Sequence, residues 1–141
     1  MLKRYRNRGF TLIELLVVIL ILAILAALIV PRVVGRTSEA KIAKAQSDIA
    51  SLSSLVQQFR LDTGRYPTTE EGLEALRVPP PDVTGWRGPY TTKEIPNDPW
   101  GNPYIYEYPG RAGEESFIIA SLGRDGQEGG EGEDADIIEG D

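Results

Sequence analysis

The chain has 141 residues, room for one modest globular domain beside an apolar segment, and a formal charge of −6. It contains no cysteine and no histidine, which excludes disulfides, thiolate zinc sites and cysteine nucleophiles and removes the commonest general base. The composition therefore points away from an enzyme, and a small exported domain of this kind needs another staple, such as a metal or assembly with neighbours.

The charge is unevenly placed. Lys3, Arg4, Arg6 and Arg8 stand before Gly9 without any acid, so the remainder holds 11 basic residues against 21 acidic, a net −10. By the positive-inside rule the basic head belongs on the cytoplasmic side of a membrane and the carboxyl-terminal part is sent across. The acidic body offers no clustered positive charge to displace counterions from phosphates, so no nucleic-acid partner is expected.

From Phe10 to Val30 the chain runs 21 residues with one charge, Glu14. As a helix this stretch reaches about 31 Å, one crossing of a hydrocarbon core. A carboxylate within it costs roughly 2.5–3.5 kcal/mol at a helix centre and less towards an end. If the chain were cut between Gly9 and Phe10, the new ammonium group of Phe10 on a neighbouring copy could pair with Glu14. Thr11-x-x-Glu14 also has the spacing of a capping box, in which Glu14 satisfies free N–H groups at the helix start. An ordinary secretory signal fits poorly, because the Gly9-Phe10 junction precedes the apolar run instead of coming after it. The basic leader, Gly9, Phe10 and Glu14 resemble the prepilin junction of the type IV pilin and type II secretion pseudopilin superfamily. That resemblance implies cleavage after Gly9 by a prepilin peptidase and methyltransferase, methylation of Phe10, and an assembly role for Phe10 and Glu14.

Pro31, with Arg32 and Arg36 beyond it, either ends the membrane span or kinks a longer helix. The next residues favour the longer helix. Ile42, Ala45, Ile49, Leu52, Val56 and Phe59 recur at spacings of three and four, while Lys41, Lys44, Asp48 and Gln57 lie largely off that stripe. The helix should stop near Asp62-Thr63-Gly64, with Pro67 shortly after. A short second helix is expected after the capping box Thr68-x-x-Glu71, carrying Leu73 and Leu76. Between Pro79 and Pro103 seven prolines exclude a long helix or a central strand, and Trp86, Tyr90 and Trp100 can anchor an ordered loop. Tyr104–Tyr108 and Ser116–Ser121 should pair as an antiparallel hairpin whose apolar side closes over the Ile42 to Phe59 stripe.

From Leu122 to Asp136 the chain holds six acids, five glycines and one base. Carboxylates and glycine-turned carbonyls are what a hard cation such as calcium wants, and Asp125, Asp134 and Asp136, with the backbone oxygen of Leu122, are the candidate ligands. On residues alone, a solvated acidic segment explains the same composition.

Tyr66-Pro-Thr-Thr-Glu-Glu-Gly-Leu-Glu-Ala-Leu76, Trp86-x-Gly-Pro-Tyr90, Asp98-Pro-Trp-Gly-Asn-Pro-Tyr104 and Ser121-Leu-Gly-Arg-Asp-Gly126, in that order, resemble the major pseudopilins of type II secretion systems. With the leader, the likeness runs through nearly the entire chain, departing at the acidic Ile137–Asp141. It implies an α+β, type IV pilin-like fold: leader 1–9, transmembrane half-helix 10–30, amphipathic half-helix 31–62, and a globular domain 63–141 with the acidic loop 122–136. It implies calcium in that loop. It also implies a single-pass inner-membrane protein, amino terminus cytoplasmic and carboxyl-terminal domain periplasmic, assembling with its own copies, minor pseudopilins and the secretion platform into a periplasmic pseudopilus that drives export of folded proteins. A type IV pilin for adhesion, motility or DNA uptake, and a membrane-anchored monomeric calcium-binding module, are the alternatives.

Overall fold

The computed structural model describes residues 9–140, with the side chains of 28–36 left aside. One helix, α1, spans Leu12–Thr63, and its backbone stays helical through Pro31. The chain divides into two compact units between Thr37 and Ser38, and each is taken by itself.

In the first unit, every described apolar side chain of α1 from Leu12 to Leu25 that is larger than alanine is exposed, from 86% at Leu12 to 44% at Val17 and Val18. Among the described residues no helix is long and apolar enough to cross a membrane. The apolar stretch with described side chains ends at Ala27, 16 residues into α1, short of the about 20 that a span needs. The remainder of the expected span, to Val30, and the basic leader lie outside the described side chains.

The second unit is built as the helical stripe requires. Ala45, Ile49, Leu52, Val56 and Phe59 are buried and Ile42 half-buried, while Lys44 and Gln57 face solvent. Full burial of such side chains contributes about 1.5–3 kcal/mol each for the larger ones. The helix stops where glycine permits a left-handed residue: Gly64 has φ +79°, and its N–H donates to the Arg60 carbonyl at 2.8 Å.

The expected second helix shrinks to a single 3₁₀ turn, Leu73–Leu76. The capping box does form, with Thr68 N–H donating to Glu71 Oε2 at 2.8 Å and Glu71 N–H to Thr68 Oγ1 at 3.2 Å. Gly72, at φ +57° and ψ −162°, then takes the chain out of helical geometry, so the box caps only a tight turn. Glu71 is also gripped by both Arg65 terminal nitrogens at 2.7 Å.

The proline-rich stretch is pinned by its aromatics. Trp86 Nε1–H donates to the Ala75 carbonyl at 3.1 Å, and the Tyr90 hydroxyl to Asp62 Oδ2 at 3.0 Å. Tyr90 stands edge-on to both Phe59 and Trp86, with ring centroids 5.9 and 5.7 Å away. The hairpin comes next: β1 (Ile105–Glu107) pairs antiparallel with β2 (Ile118–Ser121), Tyr106 opposite Ile119. A third strand, β3 (Ile137–Glu139), pairs antiparallel with the other edge of β2, Ile138 opposite Ala120. All four residues of β2 are buried, as befits the central strand of a sheet ordered β1-β2-β3. Tyr66, Leu73, Leu76, Tyr104, Tyr106, Phe117 and Ile119 close over the α1 stripe in one core, the α+β arrangement the pattern predicts.

Candidate functional site

Two places carry the residues singled out by the sequence. At the start of α1, Gly9 and Phe10 are exposed, Phe10 at 82%, and a side chain on Gly9 would meet nothing within 4 Å. The junction between them therefore lies at an exposed position. Thr11 and Glu14 form the reciprocal bonds of the capping box: Glu14 N–H donates to Thr11 Oγ1 at 3.3 Å and Thr11 N–H to Glu14 Oε2 at 3.5 Å. Both bonds are long and exposed, so they leave the Glu14 carboxylate accessible to a partner cation.

The acidic loop is folded back on itself. Leu122 comes directly after the end of β2, and the chain reverses at Gly123, φ +66°, where a Cβ would sit 2.7 Å from the Glu133 carbonyl oxygen. Gly130, φ +85°, packs against the Asp134 carbonyl just as closely. These approaches require glycine. The Arg124 N–H donates to the Glu133 carbonyl at 2.8 Å, and a 3₁₀ turn, Gly132–Asp134, closes the return.

The three aspartates are placed differently from one another. Asp125 Oδ1 accepts the Gln127 N–H at 3.1 Å in a local turn. Asp134 is held by Arg124, Nε to Oδ1 and Nη2 to Oδ2, both at 2.9 Å. Asp134 beside it raises the Arg124 guanidinium further above its ordinary range, so that side chain is a fixed cation. Asp136 Oδ2 accepts the Gly129 N–H at 2.9 Å, while its Oδ1 is buried and finds no hydrogen-bond partner among the described residues. Among the described residues no three acidic side chains converge on one point as a metal cage. Calcium shells also draw on backbone carbonyls and water, and the unpartnered, buried Oδ1 of Asp136 is the kind of oxygen a cation would satisfy.

Sequence reasoning missed what holds the loop in place. Asp98 is buried at 4% exposure. Its Oδ1 accepts the N–H groups of Trp100 and Asn102 at 3.0 and 2.8 Å, and its Oδ2 accepts the Ser121 hydroxyl at 2.6 Å. Ser121 Oγ in turn accepts the Gly123 N–H at 3.2 Å, and Asn102 Nδ2 donates to the Gly123 carbonyl at 2.7 Å. Trp100 Nε1–H reaches the far side of the loop, donating to Glu133 Oε2 at 3.2 Å. The turn at 98–102 thus grips both the outgoing and the returning limb. The signal for the turn itself was present: an aspartate two residues before one backbone donor and four before another is an Asx-type turn.

A long amino-terminal helix, a three-stranded antiparallel sheet and an accessible Gly9-Phe10 junction preceding Glu14 define a pilin-like subunit. Residues 32–140 match the family described as type II secretion system protein G, and residues 4–30 the prokaryotic N-terminal methylation motif. The chain is 46% identical to the type II secretion system core protein G of Pseudomonas aeruginosa over 139 residues, covering 96% of each chain. It is 45% identical to that of Vibrio cholerae over 139 residues, covering 97% of this chain and 94% of the other. The crystal structure of the major pseudopilin from the type 2 secretion system of enterohaemorrhagic Escherichia coli superposes with a TM-score of 0.62 at 36% identity, over 74% of this chain and 90% of that one. The chain belongs to the type II secretion system protein G family. It is a structural subunit of a pseudopilus.

Proposed function

We propose that this pseudopilin is made as a single-pass inner-membrane precursor, cytoplasmic at its basic head and periplasmic after residue 30. Prepilin peptidase cuts it after Gly9 and methylates Phe10. It then polymerises with its own copies, beneath minor pseudopilins and on the secretion platform, into a short periplasmic filament that drives folded proteins through the outer membrane. The observation that carries this reading is the apolar surface of α1 before residue 26, exposed on all sides behind one acidic residue. Such a surface needs lipid or other copies of itself. Subunits leave the bilayer by exchanging lipid contacts for contacts among apolar helices, and Glu14 offsets its own desolvation by pairing with the Phe10 ammonium of a neighbour. Glu14→Gln and Glu14→Leu variants should be processed and retained in the membrane yet fail to support filament formation and exoprotein export. Normal secretion by either variant would overturn the role of Glu14.

The loop at 122–136 takes calcium in this reading. The backbone of Leu122 and the side chains of Asp125, Asp134 and Asp136 would hold the ion, which supplies charge neutralisation in an acidic loop of a domain without disulfides. The buried, unpartnered oxygen of Asp136 supports this. An adhesive type IV pilin is set aside, because the secretion-system family accounts for residues 32–140.

A further inference from the structure

The acidic loop contains a single base, and that base is already bound to a proposed calcium ligand. Arg124 holds Asp134 by two parallel hydrogen bonds of 2.9 Å, and its Nη1 lies 3.9 Å from Glu133 Oε2. Its own backbone N–H donates to the Glu133 carbonyl at 2.8 Å, so side chain and main chain close on the same corner of the loop. A carboxylate with both oxygens engaged by a guanidinium fork has its bidentate face taken, and a cation could reach only the one lone pair left on each oxygen. A guanidinium held within a few ångströms of a doubly charged ion would also be repelled by it. Two residues on, the buried Oδ1 of Asp136 lacks any partner among the described residues, so the fork compensates one carboxylate of the loop and leaves the next incomplete.

We propose that Arg124 is a tethered counter-ion which closes the loop through Asp134 and which a divalent cation must displace. The inference rests on the calcium reading. In the metal-free subunit the Arg124–Asp134 fork keeps the loop folded over the Asp98 turn. When the cation binds, Asp134 turns to it, Asp136 Oδ1 gains its missing partner, and the guanidinium swings into solvent, where it is already 60% exposed. Arg124 therefore sets the affinity of the loop without being a ligand: the domain holds together at low calcium, and part of the binding energy goes into breaking the fork.

The test is calorimetric titration of the full-length protein in detergent micelles with calcium chloride, comparing wild type with Arg124→Gln and Arg124→Lys. An exposed ion pair of this kind changes an equilibrium by about twofold to fivefold. Arg124→Gln should bind calcium more tightly by about that factor and melt at a lower temperature without metal. Arg124→Lys, which keeps the charge and loses the fork, should fall between. In the wild-type protein, where no variant can misfold, the Nε–Hε resonance of Arg124 should shift and exchange faster with solvent as calcium saturates. Saturable binding by the wild type with unchanged or weaker binding by Arg124→Gln would overturn the exchange and leave the calcium reading standing. So would an Arg124 resonance indifferent to calcium. Absence of saturable binding by the wild type would overturn both.

Discussion

Asp98 shows what one side chain can organise. It is buried, pairs with no cation among the described residues, and is satisfied by three donors: two backbone N–H groups and the Ser121 hydroxyl. Removing it in Asp98→Ala leaves all three donors facing a void, a loss of about 2–4 kcal/mol, because hydrogen bonds to charged groups and orphaned buried donors are both costly. Asp98→Asn keeps an acceptor for the backbone donors and should cost about half as much. Chemical denaturation of the two variants checks the order. The loop should respond as well, since Ser121 and Asn102 transmit the position of the turn to Gly123, and amide exchange at residues 123–134 should rise in Asp98→Ala before it rises in α1.

At the scale of elements, Glu71 closes the turn before the 3₁₀ segment and binds Arg65 with both oxygens. The Arg65 guanidinium holds its carboxyl below the usual carboxylate range, the Thr68 N–H assists, and burial opposes. The folded-state pKa is depressed, so this contribution is present above the ordinary carboxylate value and lost as pH falls through the depressed one. The melting temperature should therefore fall on acidification below about pH 4.3, the ordinary glutamate value, and Glu71→Gln should flatten that slope while lowering stability at neutral pH. Much at this scale is legible in the sequence. The stripe from Ile42 to Phe59, the stop at Gly64, the box at Thr68 and the hairpin all come from local spacing and turn chemistry. The second helix is over-read because the period of Leu73 and Leu76 cannot reveal that Gly72 sits at φ +57°. The Asp98 to Ser121 bond and the Arg124 fork are illegible for another reason: each joins residues brought together only after the chain reverses, the first across 23 positions.

For the whole molecule, the second unit carries a hydrophobic core of its own. Among the described residues its core is drawn from Ala45 onward. A fragment beginning at Ser38 should fold cooperatively and remain monomeric, with Phe59→Ala costing about 3–5 kcal/mol in that fragment as in the full chain. Scanning calorimetry and sedimentation velocity would check both halves of the statement, and loss of the transition on removing residues 1–37 would refute it. The same division governs how damage would be inherited. A lesion such as Phe59→Ala removes much of a small domain's stability margin, so its product should be degraded and an intact second copy of the gene should mask it. A lesion confined to Glu14 or the apolar face of α1 leaves a folded, persistent subunit that competes for the same assembly machinery. Alleles of the first kind should be recessive, and alleles of the second kind should poison secretion in a merodiploid.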